Sequence, residues 1–294
     1  MQDLLGLGDT RRIRAVAGLA GGVGHKGAVC GIVTGGALAL ALAATRSEED
    51  QATITARGSM LVSQFIRRFE RDSGSALCRD IAQTDFDDDS QVRRYLFTRS
   101  RICLKAASRA AAHIVDLIEE SDRGPVEKLR ELNNKFFEHD YHCAFSVVNQ
   151  ASELMPLNQM LGPNLLIPLN GGIGYSGSTC SALLGGCIAI GLAKGGDTSQ
   201  VGMATSIKRA VMTLLLGASA FSRLDLSPAN DALLRCAKLY EWFELKFGAT
   251  LCKKIIGFEF ADTPCGIATP LDETIERCKL LGAATAEKAA ELAR

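Results

Sequence analysis

One unit appears twice in this chain, and the repeat constrains the fold more than any other feature. The segment GGVGHKGAVCGIVTGGALALALA (21–43) aligns with GGIGYSGSTCSALLGGCIAIGLA (171–193) at an offset of 150, with ten of 23 positions identical. Further on, FERDSGSALCRDI puts Cys78 where FELKFGATLCKKI puts Cys252, pairing Phe69 with Phe243 and Gly74 with Gly248 at an offset of 174. A third match sets CLKAASRAAAHIVDLI from Cys103 against CKLLGAATAEKAAELA from Cys278 at an offset of 175. Three cysteines recurring in order mark a tandem repeat of a cysteine-bearing unit. The drift in offset locates an insertion between the first and second of them.

The boundary is readable at Asp122-Arg123-Gly124-Pro125, which interrupts two helical patterns; Pro125 suits a first helical position. This gives a first unit at 1–122 and a second at 123–294. The second opens with VEKLRELNNKFFEHDYHCAFSVV, expected as one helix with Leu129, Leu132, Phe136 and Phe137 on a face and Cys143 near its end. The first unit has no counterpart. Cys143 lies 28 residues before Gly171, whereas only 20 residues precede Gly21. Either the helix was lost from the first copy or the sequence starts inside it.

The expected fold class is all-α, two pseudo-equivalent helical bundles packed face to face. No stretch sustains the alternation of a half-buried strand. Leu61, Phe65, Ile66 and Phe69 form one helical stripe, and Leu233, Cys236, Ala237, Tyr240, Phe243 and Phe247 a longer one. The Ala-rich stretches 104–118 and 279–293 have high helix propensity. Gly74 and Gly248 are placed as left-handed C-caps. Gly31, Gly35 and Gly36, like Ser181, Gly185 and Gly186, line one flank of a helix with small residues and let a second helix come close.

Lys and Arg total 33 against 33 Asp and Glu. That balance argues against a nucleic-acid stripe or polybasic membrane patch. The uncharged stretch 27–44, after Arg11, Arg12 and Arg14, resembles an export or spanning segment. Its Ala and Gly content makes transfer into lipid weak, and the pattern recurs at mid-chain, so a buried core helix is expected.

Ten cysteines are the feature to explain. In GGxGxxGxxC the glycines make a loop with exposed N–H groups, followed by a helix whose first turn or so holds the cysteine. A thiol there feels the positive end of the helix dipole, which favours the thiolate that ligates metal or attacks a disulfide. A lone Cys among Gly, Ala and Val reads as packing, and Cys187 and Cys236 on apolar stripes are read that way. Repetition with the same glycines points instead to chemistry at Cys30 and Cys180. Gly21, Gly22, Gly24 and Gly27, with Gly171, Gly172, Gly174 and Gly177, are the candidate cofactor-binding glycines. Their GxGxxG spacing lacks the preceding strand of a dinucleotide site, and His25-Lys26-Gly27 is no phosphate loop. No CxxC occurs, which excludes covalent c-type haem attachment and disfavours a zinc finger. Cysteines far apart in sequence can still converge on an iron–sulfur cluster or form a dithiol. Cys265 in DTPCG is an accessory candidate, and His25 and His142 lie near thiols but fit surface or capping roles. Asp85, Asp87, Asp88 and Asp89 read as a solvated loop.

The order of these motifs resembles the redox-active protein family labelled by its cysteine pattern, C_GCAxxG_C_C. In the second unit the matching positions are YHCAFSVV (Cys143), CSALLG (Cys180), FGATLCKKIIG (Cys252) and ERCKLLGAATAEKAAEL (Cys278), over about 126–294. The first unit matches over about 18–120 through CGIVTG (Cys30), SGSALCRDI (Cys78) and RICLKAASRAA (Cys103), and lacks the first cysteine. Ser181 replaces a Gly of the motif and Ile32 an Ala. The resemblance implies a bacterial or archaeal redox protein of anaerobic metabolism whose cysteines bind a redox centre or cycle as thiols. The expectation is a cytoplasmic electron-transfer protein holding an iron–sulfur cluster on Cys143, Cys180, Cys252 and Cys278. Cys30, Cys78 and Cys103 would form a second or vestigial site, three-coordinate or with a borrowed ligand. The alternatives are a thiol–disulfide protein with Cys180 as nucleophile, and a noncatalytic helical scaffold. A redox partner protein and a homodimer are the expected associations, with neither nucleic acid nor membrane.

Overall fold

The computed structural model describes residues 10–46, 49–120, 126–157, 160–196, 203–223, 230–257, 259–260 and 272–294. Among them the fold is all-α, with no strand and two isolated β-bridges, Val29 with Leu77 and Thr179 with Leu251. The first unit begins with a 3₁₀ segment, Thr10–Leu19. It continues through α1 (Gly31–Ala44), α2 (Gln51–Ser73), α3 (Cys78–Ala82) and α4 (Asp89–Arg94) into a π turn, Tyr95–Arg99, and α5 (Ser100–Glu119). The second contains α6 (Glu127–Glu138), α7 (Cys143–Leu154), α8 (Pro163–Leu166), a 3₁₀ turn Ile167–Leu169 and α9 (Ser181–Lys194). After these come α10 (Met203–Leu216), a 3₁₀ turn Gly217–Ser222, α11 (Asn230–Phe247), α12 (Cys252–Ile256) and α13 (Asp272–Ala293). Helix α10 and the turn after it are the insertion located by the offset drift. Asp122-Arg123-Gly124-Pro125 and Cys265 lie outside the described residues.

The stripes predicted on α2 and α11 are core. Leu61, Phe65, Ile66, Phe69, Leu233, Cys236, Tyr240 and Phe243 are all buried. Gly74 (φ +78°) and Gly248 (φ +74°) cap these helices in the left-handed conformation, donating to Glu70 and Glu244 carbonyls. The small-residue flank works as a close approach. A Cβ on Gly36 would stand 2.5 Å from Phe65, and one on Gly185 would stand 2.7 Å from the Ala144 carbonyl of α7. Helix α1 is therefore a core helix, as its Ala and Gly content suggested, and no helix among the described residues is long and apolar enough to cross a membrane.

The expected single helix around Cys143 is two. Asp140 takes a left-handed φ of +50° between α6 and α7, and His142 adopts extended backbone as the cap of α7. The uninterrupted apolar pattern conceals this break. Leu129, Leu132 and Phe136 are buried, but Phe137 is 47% exposed, its ring meeting His142 edge-on at 4.1 Å. The acidic run is also more than a solvated loop. Asp88 caps α4 through the Ser90 and Gln91 amides, Asp87 pairs with Lys26, and Asp89 accepts from the Ala218 amide of the insertion.

The two units interlock. The segment ahead of each glycine loop crosses to the opposite unit: Thr10–Leu19 lies on α9 and α11, while α8 and Ile167–Leu169 lie on α1 and α2. The loops follow. A Cβ on Gly24 would be 2.4 Å from the Ala237 amide nitrogen of α11, and one on Gly174 would be 2.7 Å from the Ser63 amide nitrogen of α2. At the junction the Val29 amide donates to the Thr179 hydroxyl at 3.0 Å, joining repeat-equivalent positions 150 residues apart.

Candidate redox site

Each glycine loop is a short left-handed turn. Gly21 to His25 have φ between +59° and +77°, and Gly171 to Tyr175 between +58° and +79°. L-residues resist this conformation by about 1–2 kcal/mol each, and β-branched ones most of all. Three glycines in each five-residue run limit the cost, and full burial of Val23 and Ile173 offsets it. The N–H groups expected to face a ligand mostly turn inward: Gly24 and Gly27 donate to Gly18 and Gly21 carbonyls, Gly174 and Gly177 to Pro168 and Gly171 carbonyls. The Gly172 amide donates to Ser181. Gly171 differs, since its N–H points at the Cys143 sulfur.

The turn delivers the next residues to a two-sided pairing. In the first unit Cys30 N–H donates to the Ala76 carbonyl (2.8 Å) and Cys78 N–H to the Ala28 carbonyl (2.7 Å). In the second, Cys180 donates to Thr250 and Cys252 to Ser178, both at 2.7 Å. This pairing brings together thiols 48 or 72 residues apart (Cys30 with Cys78, Cys180 with Cys252). Gly22 and Gly172 have no Cβ because one would lie 2.8 Å from the Cβ of Cys78 or Cys252.

In the second unit Cys180 caps α9, Cys252 opens α12, Cys143 opens α7 and Cys278 stands in the second turn of α13. All four thiols interact with one another and with Tyr141. Cys143, Cys180 and Cys252 are buried, and Cys278 half-buried. Burial pushes every one of these thiols above its ordinary range, Cys180 up to about 12. The helix N-terminus was expected to favour a Cys180 thiolate. The Ala182 and Leu183 amides do act in that direction, but desolvation and the nearby Cys143 outweigh them. Among the described residues no group of three or more His, Cys, Asp or Glu side chains is placed to hold a metal ion.

The first unit differs. Cys30 caps α1, Cys78 opens α3, and Cys103 in α5 accepts a hydrogen bond from the Tyr95 hydroxyl at 3.2 Å. The Cys30 and Cys78 thiols are hydrogen-bonded to each other. That bond, with the Ile32 and Val33 amides, lowers Cys30 to about 7, while Cys78 is pushed up. In metal-free protein, alkylation of Cys30 by iodoacetamide should therefore reach half its plateau rate near pH 7. The midpoint should climb towards the ordinary thiol range in Cys78→Ala, and an unchanged midpoint would remove Cys78 as the cause.

Neither neighbouring histidine carries a positive charge beside these thiols near neutral pH. His25 stacks on Phe221 at 3.8 Å, and His142 is bonded through Nδ1 to Asn170 at 2.9 Å. Burial lowers both to about 4, so both are neutral near pH 7. Cys187 and Cys236 are fully buried, with the Cys236 thiol against the Cys187 carbonyl, as packing residues should be. Tyr141 and Tyr95 were not anticipated; Tyr141 stands two residues before a motif cysteine, the only signal it gave.

Two matches of one family model, described as "Putative redox-active protein (C_GCAxxG_C_C)", cover residues 1–117 and 141–292. The chain belongs to this family. The double match is that of a tandem duplication, and the family is a redox-active one. No curated protein and no solved structure matches the chain.

Proposed function

We propose that this is an electron-transfer protein in which Cys143, Cys180, Cys252 and Cys278 ligate an iron–sulfur cluster. What supports this most is that four thiols, carried by four separate helices, lie near enough to act electrostatically on one another and on Tyr141. Ionising these four thiols would set four like charges near one another, and among the described residues the cation acting on them is Arg277 beside Cys278. A positive metal core reverses that penalty and releases the protons. Ligands of a multi-iron cluster sit at the corners of its core, so thiols too far apart for one ion still suit it. The Gly171, Ala182 and Leu183 amides aimed at sulfur fit thiolate ligands as well. When bound, the cluster supplies one-electron exchange. The chain's own residues hold it, exclude water and direct hydrogen bonds to its sulfurs.

In the first unit Cys30, Cys78 and Cys103 form the second redox site of the proposal. The hydrogen-bonded pair with an acidified Cys30 favours thiol–disulfide exchange there, Cys30 attacking and Cys78 resolving. Electrons would reach a separate redox partner in a reducing, cytoplasmic compartment, where a cysteine-rich chain keeps its thiols. Purification without oxygen tests the cluster. The expected result is a brown protein whose absorbance near 400 nm bleaches on reduction and gives a paramagnetic signal. A colourless protein that stays so after reconstitution with iron and sulfide would contradict it.

A further inference from the structure

The charge balance of the whole chain hides a local excess. From Ser90 to Val115 there is no Asp or Glu, while Arg93, Arg94, Arg99, Arg101, Lys105 and Arg109 all fall in this run. It forms α4, the π turn and the first turns of α5. Arg99 donates to the Ala82 and Gln83 carbonyls, and the other five cations are exposed. Among the described residues Arg94, Arg101 and Lys105 enter no ion pair. The repeat does not require these charges. At the offset of 175, Glu276 stands for Arg101, Leu280 for Lys105 and Ala284 for Arg109.

Exposed apolar side chains lie among the cations. Phe97 is 68% exposed and Leu104 70%, and Arg93 donates at 3.1 Å to the carbonyl of Leu215, an exposed residue of α10. Aromatic and aliphatic groups set between arginines are the make-up of a protein-binding surface, whereas phosphate contacts need only the charges. Arg93 to Arg109 covers about 24 Å at the rise of a helix. That is close to the width of a contact burying about 800 Å² per partner. The same run carries a thiol of the first site. Cys103 is half-buried between the exposed Ile102 and Leu104, and it acts electrostatically on Cys78.

We propose that Arg94, Arg101 and Lys105, with Phe97 and Leu104, form the docking surface for an acidic partner protein whose disulfide is reduced by Cys30 and Cys78. This rests on the thiol–disulfide reading of the first unit and needs no cluster. The Cys30 thiolate attacks one sulfur of the partner disulfide and releases one partner thiolate. Cys78 then gives up its proton, attacks the Cys30 sulfur and releases the other. The pair ends as a disulfide, and the partner gains two electrons and two protons, one from Cys78 and one from the solvent that took the Cys30 proton.

The experiment follows formation of the Cys30–Cys78 disulfide in the fully reduced chain by peptide mass mapping. Three oxidants are compared: a disulfide-linked peptide flanked by glutamates, its counterpart flanked by lysines, and uncharged hydroxyethyl disulfide. At low salt the glutamate peptide should react at least about tenfold faster than the lysine peptide. In about 1 M salt, where screening acts within about 3 Å, the gap should close. Arg94→Glu/Arg101→Glu/Lys105→Glu should reverse the preference and leave the hydroxyethyl disulfide rate unchanged. Equal peptide rates in the parent, or a preference that persists in the triple variant, overturn the docking surface while exchange stands. A salt-sensitive dimer, or retention of a DNA duplex, that the triple variant loses would give the surface to another occupant and overturn it too. No Cys30–Cys78 disulfide with any of the three oxidants overturns the exchange reading as well.

Discussion

On the iron–sulfur reading, replacing Cys180 or Cys252 with serine should leave the second unit unable to take up iron and acid-labile sulfide. The two residues supply opposite sides of one backbone pairing, with Cys180 donating to Thr250 and Cys252 to Ser178. A hydroxyl is a poor substitute for a soft thiolate towards iron. Removing one thiol would also leave one donor fewer to hold the positive metal core that offsets the ionisation of the others. The expected outcome is a fall in that unit's cluster content to background, measured as iron and sulfide per chain after anaerobic reconstitution. Cys187→Ala and Cys236→Ala are the matched controls. Both residues are fully buried, so each variant loses some stability, yet neither thiol belongs to the pocket and the metal content should hold. Equal metal loss in all four variants would mean that the cysteines act through packing alone.

The second large effect concerns the interlock. Gly24→Ala and Gly174→Ala should each lower stability by about 3 kcal/mol, the sum of a left-handed alanine and a forced backbone displacement. The added methyl groups would lie 2.4 Å from the Ala237 nitrogen and 2.7 Å from the Ser63 nitrogen, and backbone cannot swing aside as a side-chain end can. Gly74→Ala separates the two contributions. Gly74 has φ +78° with nothing within 4 Å of its would-be Cβ, so only the conformational part applies, about 1 kcal/mol. In a chain of this size each kcal/mol is worth roughly 2–4 °C of melting temperature, and the Gly24 and Gly174 variants should fall about three times as far as Gly74→Ala. Equal losses at all three positions would show that the loops do not depend on close contact with the opposite unit.

Much of this architecture was legible in the sequence because it is written as repetition. Cys30 and Cys180 with their glycines, the capping Gly74 and Gly248, and the stripes on α2 and α11 each appear twice, and one pattern fixed both. What lay outside the repeat was harder to read. The turn at Asp140 falls inside a continuous apolar periodicity, so α6 and α7 looked like one helix. The crossing of Thr10–Leu19 onto α9 depends on surfaces formed only after both units exist. Thiol acidity follows the helix N-terminus in direction at Cys30 and departs from it at Cys180. The helix N-terminus at Cys180 is visible in sequence, but the burial that overrides it is not, whereas at Cys30 the Cys78 thiol supplies the acidifying hydrogen bond. Tyr95 and Tyr141 could not be paired by alignment, because they occupy different positions in their units and meet the thiols only in the fold.

The central claim is that four thiols of the second unit surround a cluster and not a single ion. Iron K-edge absorption on anaerobically reconstituted Cys30→Ala/Cys78→Ala protein, in which the second unit alone keeps its full thiol set, tests it most directly. The predicted spectrum has a first shell of sulfur only and a short iron–iron distance beyond it. A first shell containing nitrogen or oxygen with no iron neighbour, or the absence of bound iron, would contradict the account.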